Sequence, residues 1–530
     1  MSIEAEQASG AGKAPVGRRL ATAALIVMGA TAASMTFGYV RQIVAAAYFG
    51  AGAAKSAFDV AFLVPSTVQI LVAQAALSAA LIPVFAGLME KGDKREAWLV
   101  ARTVFTLLTL VLGVVVVLCV VFAPEIMPLF APGYRNDPAM MGNIVTMSRL
   151  LFPTVVVLAV TGVVVSVLNS FEHFTLPAVA PIAWNLVILL AIVAGASRLG
   201  IEAMAWGVLL GTMVQLIVQL PWLKGRGGRL GFSLVWRNRN VRRVGALLLP
   251  VSISLGLINL NGVVDIQFAS FLGNSGVAAM NYAFTLYRLP ESLFAIAVGT
   301  VLFPTLSKLV ARGDPDRFRA TVSLGLRMIF FMLIPASVFM LVMAQPLVRL
   351  AYQHGQFGAD STSLVSSALF FFAFGSAFSG ASTLLTRGFF SLSRPWVPTV
   401  VAIFNLGVNA FLNWLFIIPF GLGGIPLSTS VVSITTFFVL LALMRRRLGR
   451  IDGRVILRSA LLVALLSVAV AAVSYSVWWG IDRWLGRSLE SQLVAVACSA
   501  AAAAAVFIGL ALAARMPELG MLKRVRGGEA

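Results

Sequence analysis

Read with a window of about 19 residues, the chain is a succession of long apolar runs parted by short polar ones. The runs lie near 22–48, 57–88, 99–123, 142–169, 177–197, 201–222, 243–271, 276–310, 319–343, 362–389, 396–418, 424–444, 455–479 and 490–514. An α-helix needs about 20 mostly apolar residues to cross a bilayer, so the pattern predicts fourteen transmembrane helices. The runs at 22–48, 57–88 and 276–310 exceed that length and predict helices that tilt, kink or project from the bilayer. The expected fold class is all-α integral membrane.

Composition narrows the alternatives. Apolar residues make up 59% of the 530 and charged ones 11%, whereas roughly a quarter of a soluble domain is charged. No large soluble domain fits. Forty Lys and Arg against twenty Asp and Glu give a net charge of +20, which in a soluble protein would suggest nucleic acid. Here the distribution of those charges speaks to topology. With the N-terminus cytoplasmic, thirty Lys and Arg fall on the leader, the alternate loops and the tail, and six on the opposite side. That asymmetry satisfies the positive-inside rule and predicts both termini in the cytoplasm. The basic loops at 224–243 and 445–458 are then expected to meet anionic lipid. The polar leader ends in Arg18 and Arg19 with no small-residue cleavage site close behind, so a retained first span is expected rather than a removed signal peptide. Cys119 and Cys498 each lie inside an apolar run and suggest neither a disulfide nor a metal site.

The chain also repeats at a period of roughly 220 residues. ALIPVFAGLMEKGDKREAWLVART (80–103) resembles TVLFPTLSKLVARGDPDRFRATVS (300–323), AFDVAFLVP (57–65) resembles NYAFTLYRLP (281–290), and PAVAPIAWNL (177–186) resembles VPTVVAIFNL (397–406). The halves are six predicted spans apart, an even number, so the repeats are parallel and related by an axis along the membrane normal. The resulting organisation is a leader (1–21), an N-lobe of six spans (22–222), a basic loop (223–242), a C-lobe of six spans (243–445), two further spans (446–514) and a tail (515–530). Two similar six-helix lobes form a cleft whose alternate exposure is transporter architecture; duplication for stability alone is the other reading. Pro65, Pro83, Pro290 and Pro304 sit at matched places inside long spans and predict kinks there. FGAGAA (49–54) and GLGG (421–424) read as loop turns and not phosphate cradles, since no strand precedes them and no Lys-Ser/Thr follows.

Ionisable residues inside a bilayer cost roughly 3 kcal/mol on insertion scales, so they tend to face a cavity or one another. Arg41 lies in the first span, Asp59 in the second, Asp265 in the seventh, Arg288 and Glu291 in the eighth and Arg327 in the ninth. The planar guanidinium forks of Arg41 and Arg288 suit a diphosphate. Against this, Arg41 is near the end of its span and can snorkel, and Arg288 and Glu291, at i and i+3, can satisfy each other. Arg327 reads as structural or interfacial. Asn405 and Asn409 share one helix face and, with Asp265, offer the carboxylate and amide oxygens that a small hard cation such as Na⁺ takes. Asn pairs can equally bridge helices by hydrogen bonds. No catalytic constellation is present: His173 and His354 fall in loops on opposite sides, and no serine belongs to a recognisable nucleophile motif. The chain is not expected to be an enzyme, to carry a cofactor or to bind nucleic acid.

The runs GYVRQIVAAAYFGAGAAKSAFDVAFLVP (38–65), PVFAGLMEKGD (83–93), FASFLGNSG (268–276), NYAFTLYRLPESLFAIAVGTVLFPTLSKL (281–309) and YQHGQF (352–357) resemble the MurJ/MviN family of bacterial lipid II flippases, in the multidrug/oligosaccharidyl-lipid/polysaccharide exporter superfamily. The similarity covers about residues 22–445. It implies a two-lobed inner-membrane protein that moves undecaprenyl-diphosphate-linked disaccharide pentapeptide between leaflets for peptidoglycan synthesis, with the last two spans forming a groove for the lipid tail. The family's cavity arginine in the first span matches Arg41. Its cation site matches Asp265, Asn405 and, as Asn in place of an acid, Asn409. Other family positions differ: its remaining first-span arginine falls on Met35, its second-span arginine pair on Gln69 and Ile70, its acid after the first turn on Ser56, and its eighth-span Asp-Arg on Phe284 and Thr285. Arg288 and Asp59 each lie about one turn from such a position. The expected substrate-facing set is thus Arg41, Arg288, Asp59, Glu291 and Gln69, in a less cationic cavity than the family norm. Ion binding at Asp265 with Asn405 and Asn409 is expected to reset the lobes. Export of another lipid-linked oligosaccharide, such as an exopolysaccharide unit, and a transport-inactive scaffold for cell-wall synthesis proteins are the alternative functions.

Overall fold

The computed structural model describes residues 16–68, 76–226, 228–449, 451–486 and 488–520, and among these it is helical, with no strand. The helices are α1 (Val16–Phe49), α2 (Ala53–Val68), α3 (Ala76–Glu90), α4 (Lys94–Val121), α5 (Ala123–Phe130), α6 (Pro138–Leu151), α7 (Pro153–Ser170), α8 (Thr175–Leu199), α9 (Glu202–Gln219), α10 (Arg239–Ser270), α11 (Gly276–Ala311), α12 (Pro315–Val342), α13 (Ala344–Tyr352), α14 (Ala359–Ala373), α15 (Ser376–Ser391), α16 (Trp396–Phe420), α17 (Gly424–Leu448), α18 (Gly453–Leu485) and α19 (Leu489–Ala513). Every predicted apolar run coincides with a helix or a pair of them. Within the described residues two runs break. The run at 142–169 divides into α6 and α7 where Pro153 withdraws a backbone donor, and the run at 362–389 divides into α14 and α15, bent by 48°. Among the described residues eight segments are long and apolar enough to cross a membrane, or nine with the bent pair taken as one span. The runs at 22–48, 57–88, 243–271 and 276–310, filled by α1, α2 with α3, α10 and α11, stand outside that count.

The repeat is written in the helix starts. α4 and α12 begin at 94 and 315, α5 and α13 at 123 and 344, α6 and α14 at 138 and 359, and α8 and α16 at 175 and 396, a constant offset of 221. Helix ends repeat as well. α8 stops at Gly200 and α16 at Gly421, with φ of 57° and 53°, a left-handed conformation that glycine adopts without a Cβ penalty. α12 opens on an Asp314 cap that accepts from the Arg317 amide, with Pro315 in the first position.

Two compact units emerge. The first comprises the chain up to Val44, Val64–Ala123 and Met147–Leu255; the second comprises Ala45–Leu63, Pro124–Thr146 and Gly256–Ala530. Contact thus groups the chain differently from its repeat, because residues 45–63 and 124–146 pack with the second unit. The first unit closes around Leu77, Leu81 and Phe85 of α3, Trp98, Ala101 and Val104 of α4, and Val163 and Val167 of α7. In the second unit one core joins α11, α12, α15 and α17 through Leu306, Leu326, Ile329, Leu385 and Phe437. A further core joins α12, α18 and α19 through Phe331, Val463, Val470 and Phe507.

Candidate cation site, basic residues and apolar groove

Asp265 of α10 is buried at 6% exposure, and a carboxylate so placed needs donors around it. α16 supplies them from one face: Asn405, Asn409 and Asn413 recur every four residues. Asn409 and Asn413 each donate to Asp265 Oδ1 at 2.8 Å, and Thr429 of α17 donates to Oδ2 at 3.3 Å. Asn405 lies a turn further on and donates to Thr436 Oγ1 at 2.7 Å. Of the three residues read as cation ligands, the structure therefore brings Asp265 and Asn409 together and gives Asn405 another partner. Asn413 and Thr429 escaped sequence reasoning, although Asn413 continues the i, i+4 stripe by one step. The Oδ1 atoms of Asn409 and Asn413 are buried without a hydrogen-bond partner. A carboxylate beside two unpaired amide oxygens is an oxygen donor set suited to a small hard cation. No group of three or more His, Cys, Asp or Glu side chains that could hold a metal occurs among the described residues.

Asp59 of α2 has a partner the sequence did not announce. Lys55 Nζ, one turn earlier, donates to Asp59 Oδ1 at 2.5 Å. The Lys55 side chain is fully buried, with Nζ 4.8 Å from the centre of the Tyr282 ring. This pair sits within a seam of the second unit. The Ala278 amide donates to Ser56 Oγ at 3.1 Å, Tyr282 Oη to the Gly50 carbonyl at 3.2 Å, and the Gln356 amide to the Ala47 carbonyl at 2.9 Å. Gly355, at φ +58°, packs so closely on the Ala47 carbonyl that a Cβ has no room. Asp59 thus belongs to the packing of residues 45–63 against α11 and the loop after α13.

Arg41 of α1, in the first unit, lies with its guanidinium 4.8 Å from the Trp184 ring centre. Trp184 is held in turn by Thr212, which accepts from its indole N–H at 3.2 Å. Arg288 of α11, in the second unit, is exposed and lies 5.4 Å from the Phe284 ring centre. It forms no ion pair with Glu291 among the described residues; Glu291 instead accepts from Ser379 Oγ of α15 at 3.0 Å. Arg327 pairs with Glu518 at 3.1 Å. Gln69 lies outside the described residues.

The second unit also holds an apolar cavity of about 520 Å³ between α11, α12, α18 and α19, walled by Leu289, Phe294, Phe331, Pro335, Val470 and Ala503 among others. Arg288 is the immediate neighbour of Leu289 on the same helix. Leu286, Leu289, Pro290 and Phe294 line the cavity, and Arg288 lies on the other face of the same helix, over Phe284.

The profile of the family described as "Lipid II flippase MurJ" matches residues 45–497. A "Probable lipid II flippase MurJ" of Rhizobium meliloti is 29% identical over 508 residues, 94% of each chain. A "Lipid II flippase MurJ" of Burkholderia cenocepacia is 30% identical over 431 residues, 80% of this chain and 84% of that one. Among solved structures, "Lipid II flippase MurJ, inward closed conformation" superposes with a TM-score of 0.79 at 22% identity, covering 93% of this chain and 99% of that one. An inward-facing multidrug resistance MATE family transporter of the MOP superfamily superposes at 0.68 with 13% identity, over 81% and 99%. At these identities the structural likeness establishes the fold.

Proposed function

The chain belongs to the lipid II flippase MurJ family, a transporter family and not an enzyme family, and from that premise we propose that this multi-pass membrane protein translocates undecaprenyl-diphosphate-linked peptidoglycan precursor across the bacterial inner membrane by alternating access. Both termini face the cytoplasm, in keeping with the Lys and Arg asymmetry of the loops. The observation that carries the reading is the apolar groove between α11, α12, α18 and α19, sized for hydrocarbon, in a chain whose α11 also bears the exposed Arg288. A lipid-linked diphosphate needs a cationic fork for its phosphates and a dry channel for its tail, and α11 carries a residue for the first and a wall of the second on different faces. Arg41, in the first unit, carries a guanidinium fork of the same kind, whose paired N–H donors suit a phosphate. Glu291 and Gln69 contribute polar contacts to the sugar-peptide head. Asp265, Asn409, Asn413 and Thr429 would hold a small cation such as Na⁺, which when bound would neutralise the buried carboxylate. The tail lies in the groove of α11, α12, α18 and α19.

The test is complementation of a cell depleted of its own lipid II flippase, with lipid II at the outer surface as the readout. The wild-type chain restores growth and surface lipid II, whereas Arg41→Ala and Arg288→Ala, expressed at equal level, do not. Full rescue by both variants would remove the two arginines from the mechanism. Rescue of capsule export alone by the wild-type chain would redirect the reading to another lipid-linked oligosaccharide.

A further inference from the structure

The segment joining α9 to α10, with the first residues of α10, carries seven basic and no acidic side chains between Lys224 and Arg243. A loop that served only to orient the chain would need no fixed shape. This one is folded onto α4, and every contact described lies within the first unit. Trp98 Nε1 donates to the Arg226 carbonyl at 3.4 Å, Arg102 Nε to the Arg229 carbonyl at 2.6 Å, and the Ser233 amide to Thr106 Oγ1 at 2.9 Å. The Phe232 ring packs edge-on to Phe105 at 5.6 Å. Gly228 rests on the Trp98 ring with no space for a Cβ. The segment then returns, and Asn238 and Asn240 both donate to Glu96 Oε1, at 2.8 and 3.0 Å.

Successive contacts at residues 98, 102 and 106 of α4 trace a strap that climbs two helical turns, about 11 Å, towards the lipid-facing stretch of that helix. Leu110 and Val111, one turn beyond Thr106, are 50% and 58% exposed. At its tip the strap bares Phe232, Leu234 and Trp236, which are 77%, 56% and 55% exposed. Arg229, Arg237 and Arg239 are exposed beside them, and the Arg237 guanidinium lies 4.9 Å from the Trp236 ring centre. Apolar and aromatic tips flanked by unopposed cations are the chemistry of a segment lying in a negatively charged membrane interface. Water would leave a large aromatic patch uncovered at the edge of a transmembrane belt.

We propose that the strap formed by residues 228–240 is an interfacial anchor, its Phe232, Leu234 and Trp236 set among the outer acyl carbons and its Arg229, Arg237 and Arg239 on the head groups of anionic phospholipid in the cytoplasmic leaflet. This inference rests on the multi-pass topology and is independent of the cargo.

The experiment uses the full chain with Cys119→Ala and Cys498→Ala, and Leu234→Cys carrying a nitroxide label. The protein is reconstituted in nanodiscs of phosphatidylcholine alone or of phosphatidylcholine with phosphatidylglycerol. In the anionic discs the label should be several-fold more accessible to oxygen than to a water-soluble nickel chelate. That ratio should fall at least twofold in phosphatidylcholine alone. Combining Arg229→Gln, Arg237→Gln and Arg239→Gln should lower it similarly in the anionic discs, with an unchanged size-exclusion profile and thermal transition. A label as open to nickel as in free solution in both lipids overturns the anchor. A label buried equally in both lipids and indifferent to the arginine changes overturns the head-group recognition.

Discussion

Asp265 illustrates how one buried side chain organises its neighbours. Its carboxylate accepts from two amides and a hydroxyl, yet the amide oxygens facing away from those bonds are unpaired. Unpaired buried oxygens are costly, and a cation among them would lift that cost. A ligand that binds only the folded state stabilises it by about 2.7 kcal/mol at a hundred times its Kd. Na⁺ replacing choline is therefore expected to raise the unfolding temperature of the wild-type protein by a few degrees. Asp265→Asn and Asn413→Ala should each abolish the rise, and a rise that persisted in both would move the cation elsewhere. Sequence periodicity could place Asn405 and Asn409 on one face, since that follows from 3.6 residues per turn. It could not say which of them meets Asp265, because the relative height of α10 and α16 depends on packing. Lys55 was hidden for a related reason. It follows the glycine-rich turn at 49–54 with nothing local to mark burial, and only the folding of residues 45–63 onto Tyr282 buries it.

At the scale of helices, the ion pair of Arg327 with Glu518 ties the short segment after α19 to α12. Ser459 of α18 donates to the same Glu518 oxygen at 2.9 Å, so three elements converge on one carboxylate that is 1% exposed. Removing one member of a buried pair strands the other and costs about 3–5 kcal/mol, whereas apolar replacement of both can be nearly neutral. Glu518→Ala should accordingly lower the thermal transition sharply, and Arg327→Met with Glu518→Leu should recover most of the loss. A single variant as stable as wild type would show the pair to be dispensable. The sequence marks Arg327 as an intramembrane charge, but nothing in a polar tail identifies its counterion. The pairing of Arg288 with Glu291 that their i, i+3 spacing allows does not form, for a similar cause: α15 brings Ser379 to Glu291 and leaves Arg288 over Phe284.

At the scale of the whole molecule, the fold class and the duplication were legible, because apolar runs and matched prolines and glycines are local features that survive divergence. The two compact units were not, since residues 45–63 and 124–146 join the second unit through contacts that no window along the chain contains. The apolar groove likewise arises where several helices distant in sequence meet. Ala503→Trp, which places a large ring in it, should depress movement of a long-chain polyprenyl substrate far more than that of a short-chain analogue in reconstituted vesicles. Equal inhibition of both would separate the groove from the tail. Attraction between hydrocarbon surfaces has no direction and scales with area, so such a channel registers how much surface a tail buries and nothing of its chemistry. It would rank tails by length and be blind to their identity, leaving every choice between one lipid-borne glycan and another to the few polar groups that touch the sugar end.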